Sequence, residues 1–380
     1  MTSADQPRSF AYLNIAAEGY PKSQTALTAF DHAIRRPPAG SRSGVNGSVF
    51  ESYRAEAARL FGAKSTEVFF VPSATIALNM AVRGLVPPRG RCLVDNRSHN
   101  SVLRPIANGP FESRTVTLYG LDEEPNLSEL RSACADFRPD VVCLTHVSNV
   151  TGSVYSLEDV IAVVRESSSA FVVIDAAQSV GAVPLKTLPY GDVIVFPAHK
   201  HLHSVPGAAV LISRVELRPT LFGGTGSESS RLRIDERWWK WIEVGAPNEP
   251  AVAAMMASLK EQASTEDRVG APGAELTGYL WEALKMVPGL CPIGRPPGSQ
   301  RIGTIACRVQ FGHTELEWAR LMASAGVIAR GGLHCSPDVH TQLGLEQVGT
   351  LRFSLGRYTT IDEIDYAMSV VCDVAGALKE

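Results

Sequence analysis

The sequence predicts an α/β protein: a doubly wound, mainly parallel sheet, joined to a smaller α+β domain at the C-terminal end. Three observations carry this. Short runs rich in Val, Ile and Phe recur, and they are continuously apolar rather than alternating, as strands are when both faces of a sheet are covered. Amphipathic segments of helical period lie between most of them, which is the rhythm of βαβ units. Near Pro247 to Pro250 the texture changes to longer helices and a Pro/Gly-rich stretch, CPIGRPPGSQ.

The strand candidates are Glu67–Val71, Arg91–Val94, Val141–His146, Phe171–Asp175, Asp192–Phe196 and Ala208–Ile212. The clearest helices between them are Ala74–Arg83, Leu127–Ala135 and Leu157–Ser167. Beyond Pro250 the pattern predicts helices over Ala251–Gln262 and Ala274–Val287, a strand at Gly303–Phe311 and a helix from Thr314 to Ala325. A strand at Thr350–Ser354 and a helix from Ile361 to Leu378 follow. This divides the chain into an N-terminal segment (1–20), a large domain (21–262) and a small domain (263–380).

The 380 residues are 45% hydrophobic and 20% charged, with a mean hydropathy of +0.02, values of an ordinary globular chain with ample core. A net charge of −3 leaves no electrostatic footprint for nucleic acid or anionic lipid. No apolar run approaches the ~20 residues of a membrane span. The opening MTSADQPRSF lacks the regions of a secretory signal. The seven cysteines are scattered, odd in number and form no CxxC pair. Reduced thiols in a cytoplasm are the expectation, with neither a disulfide framework nor a zinc site.

In open α/β sheets ligands bind beyond the carboxyl ends of the strands. The residues following each apolar run are therefore the informative ones: PSATIALN after Val71, DNRSHN after Val94, THVSNVTG after Leu144, DAAQSVG after Ile174 and PAHK after Phe196. A carboxylate, an amide, two histidines and a lysine converge on one sheet edge. Any one of them alone reads as an ordinary loop residue. Lys200, at a dry strand end, has its ammonium form disfavoured by desolvation, so its amine is available as a nucleophile for a Schiff base. With an upstream acid to face a pyridinium nitrogen, this is the arrangement a pyridoxal phosphate (PLP) enzyme needs.

At DAAQSVG followed by HK, 25 positions from Asp175 to Lys200, the sequence resembles the fold-type I PLP enzymes of aminotransferase class V, and among them the cysteine desulfurase and selenocysteine lyase group. YLNIAAEGYPKS, VPSATIALN, SHNSVLRP, HVSNVTG, FGGTGSES, EVGAPNEP, ARGGLHCSP and GTLRFSLGRYTTIDEID follow in the family's order.

The resemblance implies a role for each matching position. Lys200 would join the cofactor as a Schiff base and shuttle protons at the substrate's α-carbon. Asp175 would pair with the pyridine nitrogen, Gln178 with the phenolic oxygen, and His99 would stack on the ring. Asn149 would lie beside the phenolic oxygen and the substrate carboxylate. Ser73, Ala74 and Thr75, opening a helix, would hold the phosphate with help from the helix dipole. Thr225 would reach the phosphate of a partner subunit, which implies a homodimer with a shared site. Arg352 would clamp the substrate carboxylate, and His199 would pack beside the Schiff base.

Most free cysteines are buried small hydrophobes, and Cys143 and Cys307 fit that description. Cys335 lies between glycines and Pro337, in what reads as an irregular, mobile loop, with Arg330 and His334 near to favour a thiolate. The resemblance makes it the nucleophile that takes the substrate's sulfur as a persulfide and leaves alanine, with a sulfur-acceptor protein as a further partner.

Several positions depart from the family pattern. Pro197 stands where a phosphate-binding serine is usual and offers neither hydroxyl nor N–H. Ser73 replaces a common glycine, Asn14 and Ile15 replace Asp-Asn, and His201 and His203 are unusual beside the lysine. A specialised substrate fits these departures. Alternate spacing of His199, His201 and His203 on a strand would put three imidazoles on one side, but no further ligand lies nearby, and no metal is expected. GGTGSES lacks the third glycine of a dinucleotide loop. The aromatic patch Trp238 to Trp241 reads as a core or interface cluster. Two other readings stand beside the desulfurase: another class V enzyme (a C–S β-lyase, epimerase or transaminase) in which Cys335 is incidental, and a non-catalytic protein of the same fold.

Overall fold

The computed structural model describes residues 10–37, 49–224, 230, 232–233, 242–265, 274–298, 300–310 and 312–378. The chain opens with β1 (Ala11–Tyr12), α1 (Gln24–Arg35) and α2 (Val49–Phe61). Then come β2 (Val68–Val71), α3 (Ala74–Leu85), β3 (Arg91–Asp95), α4 (Asn100–Ala107) and β4 (Glu112–Val116). These are followed by α5 (Leu127–Phe137), β5 (Val141–Thr145), α6 (Glu158–Ser167), β6 (Phe171–Asp175), β7 (Val193–Pro197), β8 (Ala209–Ser213) and α7 (Glu249–Thr265).

Strands β2 to β8 form one sheet in the order β2-β8-β7-β6-β5-β3-β4. The ladders from β7 across to β4 are parallel, and β8 runs antiparallel between β2 and β7. Successive side chains of a strand face opposite ways, and here both faces are covered. Val142, Leu144, Val172, Ile174, Ile194 and Phe196 pack with Leu130 of α5, Val160 of α6 and Met255 of α7. Val141, Cys143, Val173, Val193 and Val195 pack with Leu78, Ala81 and Val82 of α3. Each such Val or Ile contributes roughly 1.5–3 kcal/mol on burial. The unbroken apolar runs of the sequence have this cause. Edge strand β4, ESRTV, has only Val116 buried and is the sheet strand that the pattern does not announce.

The smaller domain holds α8 (Ala274–Lys285), β9 (Leu290–Pro292), β10 (Thr304–Val309), α9 (Glu315–Ser324), β11 (Val327–Ile328), β12 (Arg330–Gly332), α10 (Pro337–Gln342), β13 (Thr350–Ser354) and α11 (Ile361–Ala377). Its antiparallel sheet, β12-β13-β10-β9, is covered by Leu280 and Trp281 of α8, Trp318 and Met322 of α9 and Ile364 and Val371 of α11. α7 runs to Thr265, a little past the expected boundary at residue 262, with its apolar face in the core of the large sheet.

The N-terminal segment belongs to both parts. β1 pairs in parallel with β11, and Ser354 donates its N–H to the Leu13 carbonyl at 2.7 Å. The chain then passes the end of β7, where Gly19 donates to the His199 carbonyl at 2.7 Å. A Cβ at Gly19 would sit 2.2 Å from the Lys200 carbonyl oxygen, so only glycine permits this approach. Among the described residues no helix is long and apolar enough to cross a membrane.

Candidate active site

The carboxyl ends of β3, β5, β6 and β7 lie side by side, with Thr145 in register with Asp175 and Asp175 with Val195. A cavity of about 240 Å³ opens beyond them. Ser73, Ala74, Thr75, His99, Asn149, Asp175, Gln178, His199, Lys200 and Arg352 all line it, joined by Arg330 and His334 from the small domain. Thr225 and the tryptophan patch Trp238–Trp241 lie outside the described residues.

Lys200 and Asp175 face one another electrostatically across this cavity. Burial pushes the Lys200 amine down to about 8, while the Asp175 carboxylate pulls the other way. Burial likewise raises Asp175, opposed by Lys200 and by the Ala177 N–H, which donates to its Oδ1 at 2.9 Å. A low-dielectric wall thus raises the neutral fraction of the amine near neutral pH far above that of an ordinary lysine, and a nucleophilic lysine needs that form.

At the start of α3, Ser73 caps the helix by accepting the Ile76 N–H at 3.3 Å, which leaves its own O–H free to donate. Thr75 Oγ1 lies 2.9 Å from Ser101 Oγ, and the Ser101 N–H donates to His99 Nδ1 at 3.0 Å. His99 therefore carries its proton on Nε2 when neutral, and burial, its largest influence, holds it neutral by lowering its pKa to about 3. Unpaired N–H groups at a helix start and two hydroxyls make an anion cradle. Pro197 lines the cavity without a donor, and Ser73, Thr75 and Ser101 supply the hydroxyls on the α3–α4 side.

Arg352 of β13 enters from the small domain and is 1% exposed. Its Nη1 donates to the Asn149 carbonyl at 2.8 Å and its Nη2 to Asn14 Oδ1 at 3.2 Å, while its Nε is buried without a partner. Burial lowers its pKa to about 9. A guanidinium held at both ends with an unmet N–H suits a carboxylate.

Cys335 does not itself wall the cavity; Arg330, whose Nη2 is 4.0 Å from its Sγ, does. The expected mobile loop is instead a turn fastened on several sides. His334 and Cys335 both take left-handed backbone angles, φ +50° and +59°. The Cys335 carbonyl accepts the Asn100 N–H at 2.7 Å, and Asn149 bonds both neighbours: its Nδ2 donates to the His334 carbonyl and its Oδ1 accepts from Ser336 Oγ, each at 2.7 Å. Among the other thiols, burial pushes Cys92 up to about 12 and raises Cys134, Cys143 and Cys307.

His199, His201 and His203 do not share a strand face. The chain turns after Lys200, with His203 at φ +53°, and the three imidazoles separate. His199 lines the cavity, His201 Nε2 meets Gln178 Oε1 at 2.9 Å, and His203 Nδ1 meets the Pro21 carbonyl at 2.8 Å. The sequence reading did not single out eight wall residues, Ala16, Ala17, Leu78, Arg97, Ser101, Thr145, Val147 and Ala177. Ser101 had a signal, its place one turn into a strand-end segment that already held His99. The alanines carry no chemistry, and Arg97 is placed by a network spanning distant segments.

A family model, aminotransferase class-V, matches residues 37–367, and the chain belongs to that family. A probable cysteine desulfurase of Pasteurella multocida is 28% identical over 344 residues, covering 85% of this chain and 79% of the relative. A cysteine desulfurase of Nostoc is 26% identical over 354 residues, with coverage of 88% and 84%. In structure, a cysteine desulfurase from Thermococcus onnurineus superposes with a TM-score of 0.84 at 22% identity, covering 97% of this chain and 95% of the other. One from Escherichia coli gives 0.79 at 22%, with the same coverage. These likenesses show the fold: PLP fold type I.

The family is PLP-dependent, and the residues present fit that group. A buried amine opposite a buried carboxylate, a helix start lined by hydroxyls and a neutral imidazole occupy one cavity of suitable size. Lys200 would carry the group, Asp175 would face its ring nitrogen, and Ser73, Ala74 and Thr75 would take its phosphate.

Proposed function

We propose that this enzyme is a cysteine desulfurase: it takes sulfur from L-cysteine or a close relative, selenocysteine included, and passes it to Cys335. PLP, when bound, supplies the electron sink that weakens the bonds at the substrate's α-carbon. The chain does the rest. Arg352 holds the substrate carboxylate, and the neutral Lys200 amine accepts and returns protons at the α-carbon. Cys335, as thiolate, forms an S–S bond to the substrate sulfur. The Cβ–S bond then breaks, its electron pair stays on Cβ, and a proton completes the methyl group of alanine. Cys335 is left as a persulfide for a sulfur-acceptor protein.

The observation that carries this reading is the fastening of Cys335. A left-handed cysteine whose two neighbours are both bonded by a cavity residue, set beside the Arg330 guanidinium, is costly to maintain. A homodimer belongs to the same proposal, since Thr225 would complete a partner's phosphate site. A cytoplasmic setting also belongs to it, supported by the scattered, unpaired thiols.

The test is C335A against wild type with L-cysteine, L-selenocysteine and L-cysteine sulfinate, assaying alanine and sulfide. Loss of alanine from L-cysteine with cofactor absorbance retained supports the proposal. Undiminished turnover by C335A would assign the chain to the alternative class V chemistry, a C–S β-lyase acting without this thiol.

A further inference from the structure

His201 does not wall the cavity, yet it is 3% exposed and its Nε2 lies 2.9 Å from the side chain of a residue that does. That residue is Gln178. We propose that His201 is a positioning residue: it fixes which way the Gln178 carboxamide points, so that an amide N–H rather than the amide oxygen faces the phenolic oxygen of the cofactor. The inference rests on the cofactor alone and is independent of the sulfur chemistry.

The assignment follows from which atoms only accept. The Ala16 carbonyl lies 2.9 Å from one end of the Gln178 amide, and a carbonyl cannot donate, so that end is the NH₂ group. The other end is then Oε1, 2.9 Å from His201 Nε2. An amide oxygen also only accepts, so Nε2 of His201 carries a proton. Burial, with smaller pushes from His203, Lys200 and Arg352, holds the ring neutral and lowers its pKa to about 3. His201 is therefore the neutral Nε2–H tautomer.

Turning the Gln178 amide over would set oxygen against oxygen at Ala16, and at His201 it would oppose two N–H groups unless the imidazole moved its proton to Nδ1. The Nε2–H tautomer thus joins the Ala16 carbonyl in holding the amide one way, and a turned amide would leave polar groups unmet in a buried place. Ala16 uses one amide hydrogen, and the second remains for the cavity. The His201 backbone is held from behind: Gly181, at φ +96°, packs so tightly on it that a Cβ there would lie 2.2 Å from the His201 carbonyl carbon. Without His201, Oε1 would be a buried acceptor without this donor, and the amide would be held at the Ala16 end alone.

A donor at the phenolic oxygen favours the form of the bound cofactor in which that oxygen carries most charge, the deprotonated one. The donor therefore lowers the pH midpoint of the cofactor's visible absorption. In PLP-loaded protein, H201F should raise this midpoint by roughly half to one pH unit. H201Q, which returns a donor near the Nε2 position, should restore it. Q178L should raise it as well, and H201F added to Q178L should change nothing further. An unchanged midpoint in H201F, or an additional shift on the Q178L background, would overturn the assignment. If H201F does not fold, ¹⁵N-histidine NMR of the wild-type protein decides. A neutral Nε2–H ring from pH 5 to 8 is expected, and an Nδ1–H or charged ring would refute it.

Discussion

Ser336 donates its hydroxyl to the Asn149 carboxamide oxygen at 2.7 Å, a bond between residues 187 positions apart in the chain. It joins the loop after β5 of the large domain to the residue following Cys335 in the small one. The Asn149 amide donates to the His334 carbonyl at the same distance, so one side chain grips the cysteine turn on both sides. The reading by resemblance gave Asn149 to the cofactor and substrate. It lines their cavity, but its carboxamide is engaged by the turn.

This grip predicts the effect of S336A. Ser336 is fully buried and lies outside the cavity wall, so its loss loosens the turn without touching the cofactor. One buried acceptor is left unmet, and the rate of alanine formation is expected to fall about five- to thirtyfold, equivalent to 1–2 kcal/mol. The cofactor's absorption spectrum should stay as in wild type. A changed spectrum with unchanged turnover would place the bond's role elsewhere.

Arg352 should separate binding from chemistry. R352K keeps the charge but loses the planar fork that bonds Asn149 and Asn14 and that the proposed reaction uses for the substrate carboxylate. KM for L-cysteine is expected to rise about tenfold or more, with a smaller change in kcat. Steady-state kinetics of the two proteins at one pH are sufficient.

Lys200→Ala should abolish the visible absorption that arises when PLP joins the lysine. Borohydride should no longer fix the cofactor to the chain, as read by intact-protein mass. Asp175→Asn should retain the covalent link but slow turnover by orders of magnitude, because the ring nitrogen loses its anionic partner.

Arg97, a cavity-wall residue, forms with Glu123 an ion pair with side chains 1% and 3% exposed, N to O 3.4 Å, and Tyr155 bonds both. E123A removes the charged partner of a buried guanidinium that keeps its neutral bonds to Tyr155, Gln342 and the Gly120 carbonyl, and is expected to destabilise the fold by about 3–5 kcal/mol. Urea denaturation of wild type and variant measures it. A difference below 1 kcal/mol would mean that these neutral partners suffice.

The folded protein should lose stability as acid is added below pH 6.5. Burial lowers the pKa of His146 and His203 to about 4 and of His201 to about 3, so these rings stay neutral in the fold while the unfolded chain protonates them. Their contribution is full above the unfolded value of about 6.5 and is lost as pH falls toward the folded values, at up to about 1.4 kcal/mol per ring per pH unit. His99, His199, His334 and His340 act in the same direction. Asp95, Asp175, Asp338, Glu243 and Glu315, raised by burial, oppose them, but these five acids stand against seven imidazoles. The melting temperature of the cofactor-free protein should drop steeply between pH 6.5 and 5; a flat profile would contradict the buried, neutral assignment.

The strands of the large sheet were legible in the sequence because each is covered on two faces, which demands an unbroken run of Val, Ile, Leu or Phe. Phe171–Asp175 came out at its observed bounds, as did Thr350–Ser354 of the smaller sheet, while Asp192–Phe196 shifted by one residue. Helices α1, α2, α4 and α10 were not read. In α4, Pro105 lies in the interior and is buried, so the residue that normally ends a helix hid one. Strands β1, β11 and β12 run only two or three residues and exist through their partners alone, with no pattern of their own.

What the sequence determined by itself is the chemistry available: an amine and an acid each ending an apolar run, and hence both at one sheet edge, together with the family that this arrangement marks. Tertiary structure alone decided which groups meet. The grip of Asn149 on the cysteine turn, the Arg97–Glu123–Tyr155 network and the bond of His201 to Gln178 each join segments far apart in the chain. The direction of a single hydrogen bond in a buried place depends on distances of a few tenths of an ångström, and residue order alone does not encode them.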